Sequence, residues 1–230
     1  MTERDTARER FQMNMMVILV MAGALLILSL IVGLFLLRNL GKEIDEGNGA
    51  ELPVIGSPDH HITDTITFLT HDSLPLTFGD IASQYKIMIV DFFFTRCPHI
   101  CPALTASMKK VYEEVGGDEG VVLISVSVDP SYDRPYILRQ YREKHEIEDA
   151  SNWLFLTGDS SSIYAMIRRD FLSAIQYSPD PAELLHTSYF YLIDGGLRIR
   201  GVYRGLHSED VQKLLKDYRR LRKELEMANP

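Results

Sequence analysis

Residues 87–102, IMIVDFFFTRCPHICP, run from an almost unbroken apolar stretch straight into a pair of cysteines. Ile87–Phe94 is the right length for a strand buried on both faces, where the alternation of a half-exposed strand disappears. Downstream, Leu104, Met108, Val111, Tyr112 and Val115 line one face of a helix, which Gly116-Gly117 ends. Val121–Val128 (VVLISVSV) repeats the buried-strand pattern and stops at Asp129-Pro130. A helix over 134–145 buries Ile137, Leu138 and Tyr141. Trp153–Thr157 makes a short strand, and Asp159 or Ser160 caps the next helix. Residues 170–186, with Pro179 and Pro181, read as irregular. Thr187–Ile193 and Arg198–Tyr203 form strands about Asp194-Gly195-Gly196, a hairpin signal. Val211, Leu214, Leu215, Tyr218, Leu221 and Leu225 make a terminal amphipathic helix. Upstream, Thr65–Leu69 and Leu74–Phe78 form a hairpin around His71-Asp72-Ser73. Strands alternating with helices predict one α/β domain over residues 61–230.

Ahead of that domain, Phe11–Leu37 carries no charge, and Met15–Leu37 is 23 nearly continuous apolar residues. About 20 such residues cross the hydrocarbon core as a helix. A cleaved signal peptide has a shorter apolar core, about 7–15 residues, ending in small residues. Here the run passes through Ala22-Gly23-Ala24 into Leu, Ile, Val and Phe, which predicts an uncleaved transmembrane helix over 15–37. Arg4, Arg8 and Arg10 precede it, against Arg38 and Lys42 after it. That excess places residues 1–14 in the cytoplasm as a tail and the domain on the extracytoplasmic side. Residues 38–60, with four glycines and two prolines, read as a linker.

The whole chain of 230 residues has a net charge of −8, with 46% hydrophobic and 24% charged residues. The sign of the charge and the lack of a basic stripe exclude nucleic acid as a partner. The apolar content excludes a disordered or collagenous chain. Two cysteines cannot staple a disulfide-rich scaffold.

Those two, Cys97 and Cys101, stand four apart at a strand-to-helix junction. Residues at i and i+4 share a helical face, about 5–6 Å apart at Cβ. A helix N-terminus favours thiolate over thiol. Two buried small hydrophobes or a structural disulfide are possible readings, but so short a loop gains little from closure. A redox pair and a metal site remain. The usual dithiol motif is C-x-x-C, one residue shorter, and structural zinc wants four close ligands. Two thiolates with a softer third partner suit copper, Cu(I) especially.

Seven histidines could supply that partner. His60, His61 and His71 read as solvated residues of the tether and hairpin. His145 reads as a favourable charge at a helix C-terminus, and His207 as part of a capping region. His99, between the cysteines, is a candidate ligand, though on a helical turn it would point away from the face they share. His186, ending the irregular stretch beside a strand, is the stronger candidate.

Three segments together resemble one family. Phe94-Thr95-Arg96-Cys97-Pro98-x-x-Cys101-Pro102, Val126-Ser127-Val128-Asp129-Pro130 and His186–Asp194 (HTSYFYLID) are similar, in order and spacing, to the Sco/SenC family of thioredoxin-like copper proteins. The resemblance implies a thioredoxin-like fold, with an N-terminal hairpin and a membrane-anchoring helix. It implies copper, Cu(I) or Cu(II), held by Cys97, Cys101 and His186. The implied role is a metallochaperone rather than an enzyme, passing copper to the copper-accepting subunit of cytochrome c oxidase. Membrane lipid around the helix and a thiol reductant complete the implied partners. The domain would face the periplasm, the cell exterior or the mitochondrial intermembrane space. Leu185 and His99 stand where the family commonly has Asp, and Asp194-Gly195-Gly196 replaces an Asp-Pro-x-Gly turn. A competing class on the same residues is a membrane-tethered thiol–disulfide reductase with Cys97 as attacker and Cys101 as resolver. A redox or copper sensor is a third.

Overall fold

The computed structural model describes residues 21, 23, 25, 27–35, 51–56, 61–171 and 188–228. Within 61–230, β3 (Ile87–Phe93) is the organising strand, and all seven of its residues are buried. Its side chains alternate. Ile87, Ile89 and Phe93 enter one core, and Met88, Val90 and Phe92 enter another on the opposite face. A strand apolar on both faces has to lie inside a sheet covered by helices on both sides. β4 (Val121–Ser127), buried throughout, runs parallel to it from Ile87↔Val121 to Phe93↔Ser127. β5 (Trp153–Gly158) extends the parallel sheet beyond β4. On the other side of β3, β6 (Tyr189–Asp194) pairs antiparallel, and β7 (Ile199–Arg204) folds back onto β6. The hairpin β1 (Phe68–Thr70) and β2 (Pro75–Leu76) joins at β5, giving the order β2-β1-β5-β4-β3-β6-β7.

Among the described residues, five helices cover this sheet: α1 (Phe78–Gln84), α2 (Ile100–Val115), α3 (Pro135–Lys144), α4 (Ser160–Met166) and α5 (Ser208–Ala228). One core joins α2 through Leu104, Met108 and Val111, α3 through Leu138 and Tyr141, and α5 through Leu214 and Leu221. The other core takes Phe78 and Ile81 of α1 and Ile163 and Met166 of α4. The parallel β3–β4–β5 core with its antiparallel β6–β7 edge is the thioredoxin-like arrangement that the sequence leads one to expect.

Three local expectations change, the first being that Ile137 is half-buried rather than buried. Phe78 opens α1 rather than ending a strand. Thr77 and Asp80 form a capping box: the Asp80 N–H donates to Thr77 Oγ1 at 3.0 Å, and the Thr77 N–H donates to Asp80 Oδ2 at 2.7 Å. The start of the irregular stretch is also ordered. Ile167–Phe171 is a π-helical turn whose buried Asp170 accepts from the Thr63 N–H and hydroxyl at 3.0 and 2.8 Å. Residues 172–187 lie outside the described residues.

Gly205, after β7, has no room for a side chain: a Cβ there would sit 2.4 Å from Leu104 Cδ1 and 2.8 Å from Phe190 Cζ. Both neighbours are buried in the core, so Gly205→Ala should cost about 1–3 kcal/mol by overpacking. Denaturant unfolding checks this, and an unchanged midpoint would show that the contact relaxes freely.

Residues 1–50 form a separate unit. Its described positions, 21, 23, 25 and 27–35, are helical. Met21, Leu25, Ile27, Leu28, Leu30, Ile31, Val32, Leu34 and Phe35 are 47–64% exposed. No helix among the described residues is long and apolar enough to cross a membrane. The rest of the expected span, 15–37, and the tail 1–14 lie outside the described residues.

Candidate functional site

β3 ends at Phe93, and four residues later the chain reaches Cys97, one turn ahead of α2. The α2 N-cap, His99, makes no side-chain capping bond. The first N–H groups of a helix have no intrahelical partner, so here they are free for another acceptor, and Pro102 in the first turn costs no helical bond. The acceptor is sulfur: the Cys101 N–H donates to Cys97 Sγ at 3.2 Å. Burial works to raise the Cys97 thiol. The Cys101 N–H and thiol and the His99 and Ile100 N–H groups outweigh it and hold Cys97 below the ordinary thiol range. Cys101 goes the other way. Burial pushes it up to about 12, with the neighbouring Cys97 and Asp91 charges adding to the effect and a Phe94 backbone bond opposing it. Both cysteines are free and buried. The arrangement is a thiolate-prone Cys97 beside a proton-holding Cys101, able to close as a disulfide or to offer two sulfur ligands to a soft metal ion.

The strand that leads to the pair carries an acid that the sequence reading left without a role. Asp91 is the one acid in Ile87–Phe94, 1% exposed, on the same face of β3 as Ile89 and Phe93. Ser125 Oγ donates to it at 2.6 Å, and Trp153 Nε1 donates to Ser125 at 3.0 Å. Burial pushes the Asp91 carboxyl up to about 7, against the Ser125 bond, which lowers it. A lone acid in an apolar run was the signal available for it.

The loop between β3 and Cys97 is clamped by the turn Asp129–Asp133 that follows β4. Arg96 Nε and Nη2 donate to Asp129 Oδ2 at 3.0 and 2.5 Å, and the guanidinium lies 4.3 Å from the Tyr132 ring centroid. Asp133, fully buried, accepts from the Thr95 N–H at 3.1 Å, from the Thr95 hydroxyl, and from Ser127 Oγ at 2.6 Å.

The histidines divide. His99 is exposed between the cysteines. His61 is exposed with Nδ1 2.6 Å from Gly196 O, and His207 precedes α5, its carbonyl accepting the Val211 N–H at 3.0 Å. Two expectations are corrected. His71 is 9% exposed rather than solvated; the Phe155 N–H donates to its Nδ1 at 3.4 Å. Burial first, then Arg142, lowers it to about 4, against the raising effect of Asp72. His145 is the C-cap residue of α3, and burial together with Lys144 and Lys109 lowers its pKa, which works against the expected charge there. His60 and His186 lie outside the described residues. Among the described residues, no three His, Cys, Asp or Glu side chains gather as a metal cluster.

A sheet of this order, with a free cysteine pair at the start of the helix after its central strand, defines a thioredoxin-like dithiol protein. The SCO1/SenC family model matches residues 57–222, and the chain belongs to that family. It is 27% identical over 165 residues to the SCO1 protein homolog of Bacillus subtilis, covering 71% of this chain and 84% of that one. Among solved structures, a SCO1/SenC family lipoprotein from Bacillus anthracis is 30% identical, with a TM-score of 0.58 over 73% of this chain and 98% of the other. BsSco, a Sco-family cytochrome c oxidase assembly protein with a disulfide switch, is 26% identical, with a TM-score of 0.60 over 73% and 96%.

Proposed function

We propose that this chain is a membrane-anchored copper chaperone that delivers copper for assembly of the copper centre of cytochrome c oxidase. The observation that carries the reading is the unequal cysteine pair, with Cys97 held toward thiolate by the first N–H groups of α2 and Cys101 one turn along. Membership of the SCO1/SenC family and the likeness to BsSco, an assembly protein for cytochrome c oxidase, support it. Reduced Cys97 and Cys101 would bind copper as thiolates, Cys101 releasing its proton to solvent as the metal binds. His186 closes the site as third ligand. β6 pairs with β3 from Ile87↔Asp194 to Val90↔Tyr191, and Ser188 immediately precedes β6. The Gly205 N–H donates to Ser188 O at 2.6 Å, and Ser107 Oγ donates to Gly205 O at 2.5 Å. The chain just after His186 is thus tied to α2, the helix that carries Cys101, which favours His186 as the partner. Copper leaves by ligand exchange to a cytochrome c oxidase subunit.

The span 15–37 anchors the domain. Its described large apolar side chains are 47–64% exposed, as suits a lipid surround. Residues 1–14 would lie in the cytoplasm and 38–230 outside. Protease added outside cells with an opened outer envelope should degrade the domain and spare the N-terminus; a protected domain would reverse this orientation.

The test of the binding reading is a copper titration of the reduced and the oxidised full chain in detergent. The reduced chain should take up about one copper and the oxidised chain none. Equal uptake by both would overturn the thiolate site. The same asymmetry of thiols fits a second reading, a thiol–disulfide reductase acting on partner cysteines. Catalytic turnover of a disulfide substrate together with absent copper uptake would favour it.

A further inference from the structure

We propose that Asp133 is a positioning residue that holds Cys97 in place to close with Cys101. The proposal rests on the reading of the pair as the working group of this protein. Asp133 is fully buried, and its three hydrogen bonds come from neutral donors: the Thr95 N–H at 3.1 Å, the Thr95 hydroxyl and Ser127 Oγ at 2.6 Å. Among the described residues no cation lies in salt-bridge contact with this buried carboxyl, Arg96 acting on it only at longer range, so its burial is costly and an apolar residue would serve the core better. What the carboxylate does is fix one residue twice. It takes both the backbone and the side-chain donor of Thr95, two positions before Cys97, and ties them to the end of β4 through Ser127. The other restraints on this loop are weaker. Arg96 is held by Asp129 from solvent, in a pair whose arginine side chain is 57% exposed. The Cys97 N–H reaches Phe94 O at 3.3 Å. Disulfide closure demands a narrow range of Cβ separation and dihedral angle. An anchor two residues away therefore sets how often Cys97 Sγ meets Cys101.

Closure can be read against glutathione. Cys97–SH and Cys101–SH are oxidised to the disulfide; glutathione disulfide takes the two electrons and both protons and leaves as two glutathione thiols. The full reduced chain, in detergent micelles, is equilibrated with a series of glutathione ratios and the disulfide fraction is measured. Asp133→Ala leaves three donors without an acceptor and frees the loop. The closure constant should fall at least about tenfold, equivalent to about 30 mV in this two-electron couple. Asp133→Asn should stay within about threefold of the natural chain, since its carboxamide oxygen accepts the Thr95 N–H and the Thr95 hydroxyl can turn to accept from the amide. Leu156→Ala, which opens the core on the opposite face of the sheet, should leave the constant unchanged.

An unchanged constant in Asp133→Ala overturns the proposal. So does an equal fall in Leu156→Ala, which would mean general loosening, or an Asn variant as impaired as the Ala variant. If Asp133→Ala does not fold, Thr95→Val is read instead. It removes one of the three donors and should lower the constant about threefold, and no change there overturns the proposal equally. No copper takes part in this equilibrium. Failure of the copper reading, seen as no uptake by the natural chain, is therefore distinct from failure of the positioning role.

Discussion

Alkylation at pH 7.5 should single out Cys97. In the Cys101→Ala chain, Cys97 is expected to react readily with iodoacetamide. In the Cys97→Ala chain, Cys101 should react at least about 100-fold more slowly, because reactivity follows the thiolate fraction. Burial pushes Cys101 up to about 12, so its thiolate is a trace species at that pH. Cys97 sits below the ordinary thiol range, burial being outweighed by hydrogen bonds from Cys101, His99 and Ile100. Removing Cys97 takes away one of the charges that raise Cys101, yet the larger cause, burial, remains. Mass spectrometry of the alkylated chains over time gives both rates. Comparable rates would contradict the assignment of Cys97 as the nucleophile and of Cys101 as the reserve of the second proton.

A second large effect is expected at Asp91. Its carboxyl is raised from 3.8 to about 7 by burial, with the Ser125 bond opposing. Between those two values the folded chain keeps a proton that the unfolded chain has released. Stability from this group is therefore present at acid pH and lost as pH rises from about 4 to about 7. At about 1.36 kcal/mol per unit, the loss approaches about 4 kcal/mol by pH 8. Asp91→Asn cannot ionise and can keep the 2.6 Å bond from Ser125 through its amide oxygen. It should therefore resemble the natural chain at about pH 4 and exceed it by several kcal/mol at pH 8. Urea unfolding at the two pH values measures this. The same pH slope in both chains would show that Asp91 is ionised throughout.

Much of this could be read from residue order, and the exceptions have physical causes. β3 and β4 were legible because a strand buried on both faces needs no periodicity to be seen; IMIVDFF and VVLISVS announce themselves. α1 was missed because seven residues are too short to display a helical period, leaving the Thr77–Asp80 capping box as its sign. His71 looked solvated because it sits in a polar turn, and its burial arises where β1 meets Phe155 of β5. The cysteine spacing and the order of the two roles, Cys97 as attacker and Cys101 as resolver, were visible, whereas the physical basis of their inequality was not. That inequality depends on the direction of the N–H groups that open α2 and on unequal burial, which exist once the helix is docked. Asp133 was hidden for the same reason: its donors, Thr95 and Ser127, lie 38 and 6 residues away in sequence.

Leu185 precedes the proposed third ligand, and His99 follows Cys97-Pro98. Neither is a proposed copper donor, so the three-residue site can be tested one residue at a time. The most direct measurement is titration of the reduced full chain with Cu(I) and Cu(II), beside Cys97→Ala, Cys101→Ala, His186→Ala and His99→Ala. Tight binding should vanish in either cysteine variant. His186→Ala should weaken Cu(II) binding and perturb its visible spectrum more than it lowers Cu(I) binding, since imidazole suits Cu(II) and thiolates suit Cu(I). His99→Ala should change little. Undiminished stoichiometry in Cys97→Ala or Cys101→Ala would contradict the copper site itself, and an unaltered Cu(II) spectrum in His186→Ala would contradict its third ligand.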